Sequence, residues 1–170
     1  CIRDRIAYVP KTPHFFSGTV VENMRISNPL ASEEDVIKAL ELADAWNDVK
    51  RMPNGLHTII GSEGEVPLTS NLAARLSLSR AYLNPASILL IDELPNTLLT
   101  SKTGKNLKEY LVRAKGKRTV ILCTYREDFM KISDTIVWLR GVDVPISGPR
   151  DTLLDAIGGQ STKAKRTAAC

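Results

Sequence analysis

Ile88-Leu89-Leu90-Ile91-Asp92-Glu93 is the stretch on which the reading of this chain turns. Four consecutive aliphatic residues suit a short strand buried on both faces, the kind found in a parallel sheet. The run then delivers two carboxylates at its carboxyl end, where α/β sheets hold ligands. At such a place Asp92 can hold a hydrated magnesium ion, and Glu93 can polarise a water attacking a phosphate. Acidic residues that end a strand are also common helix caps, so the six residues alone leave both readings open.

Outward from this strand the pattern is strand–helix–strand. The spacing predicts a helix over 101–114, a second buried strand at Thr119–Cys123, a short helix at Glu127–Ile132, and a third strand at Thr135–Leu139. A fourth strand at Val142–Ser147 and a closing helix at Asp151–Ile157 follow. This alternation from residue 86 onward implies an α/β fold with right-handed crossovers. Upstream, Arg5–Val9 reads as a strand stopped by Pro10, and Thr12–Gly18 as a loop carrying Phe15 and Phe16. A helical stretch then intervenes. It has a turn at Val20–Ile26, a helix capped by Ser32 with Val36, Ile37, Leu40 and Ala43 at helical spacing, and a helix over 71–83 halted by Asn84-Pro85. Between them Pro53-Asn54-Gly55 is a turn, Thr58–Ile60 is extended, and Gly61–Pro67 is a Gly/Glu-rich loop.

The bulk numbers exclude little but exclude it firmly. The 170 residues, 43% hydrophobic and 25% charged, suit one soluble globular domain. A net charge of +4 reads as a solvated surface plus a basic tail, not as a nucleic-acid interface. No apolar run approaches the roughly 20 residues needed to span a bilayer, so direct membrane insertion is not expected. The odd count of 3 cysteines has no metal-ligand spacing, and Cys123, in an apolar run, reads as a small core residue in a reducing compartment. Beginning at Cys1 in mid-pattern, the text is expected to be a piece of a longer protein.

Order and spacing make the acidic pair more specific. Leu68-Thr69-Ser70-Asn71-Leu72-Ala73-Ala74-Arg75 opens a helix ahead of it, and Leu94-Pro95-Asn96-Thr97-Leu98-Leu99 is a turn behind it. Cys123-Thr124-Tyr125-Arg126 follows the next strand, and Ile146-Ser147-Gly148-Pro149 follows the last. Near the start stands Ala7-Tyr8-Val9-Pro10-Lys11-Thr12-Pro13-His14-Phe15-Phe16-Ser17-Gly18-Thr19-Val20-Val21-Glu22-Asn23. Over about residues 2–157 this succession resembles the nucleotide-binding domain of ABC transporters, most closely the exporter type. The resemblance implies a partial P-loop NTPase fold, a mostly parallel sheet with an inserted helical subdomain. In that layout 1–18 is a core strand and Q-loop region and 19–85 is the helical signature subdomain. Residues 86–157 form the α/β core with Walker B, D-loop and switch region, and 158–170 a disordered basic tail. It also implies ATP and magnesium as ligands and a second nucleotide-binding domain as partner. A transmembrane domain would contact residues 11–23, with Phe15, Phe16 and Val20 either serving that groove or filling the lobe's own core. The implied location is cytoplasmic, peripheral to the inner face of the cell membrane.

The motifs depart from the family pattern where the chemistry lies. The Gly-rich phosphate loop with its Lys would lie upstream of Cys1. Lys11 stands where the family has Gln, and a donor-only ammonium repels magnesium. In the signature, Thr69 keeps the hydroxyl, Ser70 and Asn71 replace glycines that let the backbone approach a γ-phosphate, and Leu72 replaces a polar residue. Leu94 follows the acidic pair where Ala or Pro is usual, Leu99 replaces the D-loop Asp, and Tyr125 stands at the switch His. Asp92, as magnesium ligand, and Glu93, as general base, are then expected to be vestigial. The isolated chain is expected to bind neither ATP nor magnesium tightly and not to hydrolyse ATP by itself. The alternatives are a fragment of an active transporter ATPase whose Walker A lies upstream, and a non-catalytic interaction module without nucleotide.

Overall fold

A computed structural model of the protein describes residues 5–61, 66–141 and 143–157. The chain forms two compact units, Cys1–Cys123 and Thr124–Cys170. In chain order the first unit holds β1 (Ile6–Val9), β2 (Gly18–Thr19), α1 (Val20–Arg25), α2 (Glu33–Leu42), α3 (Trp46–Lys50), β3 (Ile59–Ile60), α4 (Ser70–Leu83), β4 (Ile88–Ile91), α5 (Asn96–Leu99), α6 (Lys102–Ala114) and β5 (Thr119–Leu122). The second holds α7 (Glu127–Met130), β6 (Thr135–Trp138) and β7 (Ile146–Pro149), then α8 over 150–157.

The expected central strand is β4. It lies between β1 and β5 in a parallel sheet of order β1-β4-β5. Alternation then sorts the side chains by face. Ala7, Val9, Leu89 and Ile91 are buried, whereas Tyr8 on β1 and Ile121 on β5 lie on the opposite face and are 50% and 52% exposed. The expectation of a buried strand at 119–123 with Cys123 in the core is therefore corrected: β5 alternates exposed and half-buried residues, and Cys123 is exposed. β5 is an edge strand in this sheet, with helix α6 packed against it.

The inserted helical region builds its own core from Val20, Val21, Met24, Val36, Leu40, Val49, Leu56, Ile60, Leu72 and Leu76. Val20 is fully buried there and Phe15 packs against the cluster, so both serve the lobe's own core, while Phe16 remains exposed. Capping boxes start α1 at Thr19 with Glu22 and α2 at Ser32 with Asp35, satisfying orphan N–H groups at each helix start. The α4 helix joins lobe to sheet. It is apolar on more than one side, with Leu72, Ala74, Leu76, Leu78 and Ala81 buried, and packs against α1, α2 and β1.

In the second unit the expected fourth strand at Val142–Ser147 is corrected to β7 at Ile146–Pro149, antiparallel to β6 with Trp138 opposite Ile146. The residues between the strands are too few for a parallel crossover, which needs about a dozen, and a hairpin results. Val142, the Glu-rich loop residues 62–65 and the tail 158–170 lie outside the described residues.

Candidate functional site

Parallel pairing of β1 and β4 in the register Val9 to Ile91 carries both strands forward at the same level. The Asp92 N–H donates to the Val9 carbonyl at 2.9 Å, extending the ladder one step past the strand ends. Two residues beyond Val9 stands Lys11, and two beyond Ile91 stands Glu93. Their side chains meet: Lys11 Nζ lies 2.7 Å from Glu93 Oε2. On the other carboxylate, the Tyr8 hydroxyl donates to Asp92 Oδ2 across a long 3.4 Å contact. Glu93 is held at φ +22°, outside the usual range for a residue with a side chain.

One ammonium and one hydroxyl face the two carboxylates here. The hydrogen bond and charge of Glu93 raise the Lys11 ammonium above its ordinary pKa, so it stays charged at neutral pH. Desolvation, then the Asp92 charge, push the Tyr8 phenol up, leaving a neutral donor. The residues present do not fit a divalent cation. The Glu93 oxygen facing the site is engaged by an ammonium, and among the described residues no group of three or more His, Cys, Asp or Glu could hold a metal ion.

Thr69, Ser70 and Asn71 are brought together, exposed, at the start of the 14-residue helix α4. Thr69 is its N-cap, and its hydroxyl accepts from the Leu72 N–H at 3.2 Å. The Ser70 and Asn71 N–H groups face forward with no intrahelical partner, as the first N–H groups of any helix do, and the helix dipole favours an anion there. Leu72 is 8% exposed and belongs to the lobe core, so its loss of polarity is explained by packing. Leu99 is likewise buried, on α5 beside fully buried Leu98, with its N–H donating to the Pro95 carbonyl at 3.1 Å. Leu94 is buried too. Tyr125 belongs to the second unit and is 65% exposed.

Sequence reasoning missed three positioning contacts within the first unit. Arg75, one turn into α4, donates through Nη1 to the Asp44 carbonyl and to Asp48 Oδ2 at 2.8 Å, tying the helix start to the link between α2 and α3 and to α3 itself. Arg80 donates to the carbonyls of Asn23 and His14 and lies 4.7 Å from the centre of the Phe15 ring. Asn23 is fully buried. It donates to the Phe16, Gly18 and Thr19 carbonyls and accepts from the Phe16 N–H, so it fixes the loop after Lys11. A polar Asn inside the apolar pattern of 20–26 was the available signal for it. Tyr8 on Asp92 had no local signal at all.

A parallel sheet bearing an acidic pair at its carboxyl edge, joined to a helical lobe through a capped helix, defines an α/β domain of the P-loop NTPase class. No protein-family model matches the chain. Curated proteins do. The chain is 33% identical over 157 residues to an uncharacterized ABC transporter ATP-binding protein of Sinorhizobium fredii, covering 92% of this chain and 26% of that protein. It is 32% identical over 177 residues to the ATP-dependent lipid A-core flippase of Neisseria gonorrhoeae, covering 99% of this chain and 28% of that protein. It is 35% identical over 153 residues to the glutathione/L-cysteine transport system ATP-binding/permease protein CydC of Bacillus subtilis, covering 90% and 27%. The chain spans about a quarter of the length of these relatives. It belongs to the nucleotide-binding domains of exporter-type ABC transporters, with altered motifs.

Proposed function

We propose that this domain serves an exporter-type ABC transporter as a half that does not itself hydrolyse ATP. It offers Thr69 and the start of α4 to a nucleotide held by a second nucleotide-binding domain. The observation that carries the reading is the 2.7 Å contact of Lys11 Nζ with Glu93 Oε2. A general base must be free to take a proton from the attacking water, and this carboxylate is paired with an ammonium. The side chains at Ser70 and Asn71 act in the same direction, since they keep the backbone from the closest approach to a phosphate. Losing one oriented transition-state group costs about 2.7–4 kcal/mol, and such losses are not additive.

The loop from Lys11 to Asn23, with Phe16 exposed and its course fixed by Asn23, is the segment that meets a transmembrane domain. Among the described residues no helix is long and apolar enough to cross a membrane. In this reading the domain sits at the inner face of the membrane, held by the transmembrane domain it meets.

The purified chain is expected to release no phosphate from Mg-ATP above background and to show no measurable nucleotide binding. Micromolar affinity for Mg-ATP, or steady turnover without a second domain, would refute the reading. In the assembled transporter, Lys11→Gln is expected to raise magnesium-dependent turnover.

A further inference from the structure

Lys11 does more than burden a catalytic base. An exposed ion pair contributes little to stability, and this one joins side chains that are 63% and 48% exposed. Its effect on a third charge is another matter. The parallel register runs to Val9 and Ile91, the Asp92 N–H bond to Val9 holds the strand ends together, and Lys11 and Glu93 each follow two residues beyond. The long lysine stem can swing, but its root cannot leave. An ammonium tethered there acts twice as strongly on a divalent cation as on a monovalent one.

We propose that the Lys11 ammonium takes the place of a divalent metal ion at the Asp92–Glu93 pair, as a built-in counter-cation that closes the pair to magnesium and manganese. The carboxylates keep the positive partner they need, and it comes from the chain itself. Tyr8 completes the arrangement by donating toward Asp92, so both acidic side chains have a donor from β1 or the residues just after it. The inference deepens the proposed function and rests on the same Lys11–Glu93 contact, but metal exclusion is a property of this surface that is read with no nucleotide present.

The test is a manganese titration of the full chain followed by paramagnetic broadening of backbone amide resonances. The wild-type protein is expected to show no preferential broadening at 91–94 at millimolar manganese. Lys11→Gln is expected to broaden those amides selectively, at a manganese concentration roughly tenfold lower than any effect in the parent, since one screened unit charge at a few ångströms acts on a doubly charged ion. Lys11→Arg keeps the charge and is expected to stay silent. Lys50→Gln, which removes an exposed charge from α3, controls for net charge and is expected to behave as the parent. Selective broadening at Asp92 and Glu93 in the parent, or a Lys11→Gln response no greater than that of Lys50→Gln, overturns the proposal. ATP hydrolysis enters none of these readouts, so a failure here and a failure of the proposed function are separable.

Discussion

Leu72→Gln restores a polar residue at the signature position and is expected to damage the domain instead of repairing it. Leu72 is 8% exposed and belongs to the cluster formed by Val20, Met24, Val36, Leu40 and Leu76. Burying a leucine side chain contributes about 1.5–3 kcal/mol, and that contribution is lost. An amide left without partners among aliphatic neighbours adds about 1–3 kcal/mol. The glutamine stem recovers part of this by packing its methylenes and turning its head outward beside exposed Asn71, so the net loss is about 3 kcal/mol. The chain has 2 tryptophans. Trp46 packs against the lobe core and Trp138 lies in the second unit. In a Trp138→Phe background, fluorescence therefore reports the lobe alone. With a urea dependence of about 2 kcal/mol per molar, the unfolding midpoint is expected to fall by about 1.5 M. A midpoint within about 0.3 M of the parent would show that position 72 is not a core position, and with it the account of why the signature lost its polar residue.

Three further outcomes follow from the same geometry. Asn23→Ala removes a buried amide that serves three carbonyls and one N–H between Phe16 and Thr19; it is expected to destabilise by about 2–3 kcal/mol and to speed amide exchange at Phe16, and unchanged exchange there would contradict its clamp role. Gly104→Ala gains helix propensity of about 1 kcal/mol, yet the added Cβ would lie 2.0 Å from the Leu99 carbonyl oxygen; overpacking against backbone costs about 1–3 kcal/mol, so thermal unfolding is expected to shift down, and an upward shift would refute the close approach of α5 and α6. Hydrogen bonds from Thr19 and from Ser32 hold the Glu22 and Asp35 carboxyls below their ordinary pKa. A depressed folded pKa gives stability present in full above the unfolded value of about 4 and lost as pH falls through the folded value. Urea midpoints are therefore expected to decline below about pH 4, and to decline less in a Glu22→Gln, Asp35→Asn double variant; an equal decline would remove the two caps from the acid response.

The sequence made the local features legible and left the long-range ones hidden. Ile88–Ile91 announced its strand by four aliphatics, Ser32 announced a helix start by its hydroxyl, and Asn84-Pro85 marked where α4 ends. These are signals carried within a few residues. The exposure of Cys123 could not be read in that way, because an apolar run looks the same at the edge of a sheet as at its centre. The fourth strand was expected over Val142–Ser147 and lies at Ile146–Pro149, because antiparallel pairing with β6 sets its bounds and that pairing leaves no local signal. The Lys11–Glu93 contact joins residues 82 apart in sequence; only the register of two parallel strands brings them level, and register is set by the fold as a whole.

The altered positions are not equivalent, and the structure separates them by burial. Leu72, Leu94 and Leu99 have been taken into packed cores, where a polar or charged side chain would lose solvation without gaining a partner. Reversing them requires the surrounding side chains to change with them. Lys11 is exposed and pairs with Glu93, and its replacement by glutamine disturbs no core. Thr69, Ser70 and Asn71 are exposed as well, and their side chains are free of the lobe core. A domain with this distribution keeps Leu72, Leu94 and Leu99 in packed cores, while Lys11 pairs with Glu93 at the surface. The proposed metal exclusion and the altered signature therefore rest on different residues, and a Lys11 variant would still bury Leu72 and Leu99 and keep side chains at Ser70 and Asn71.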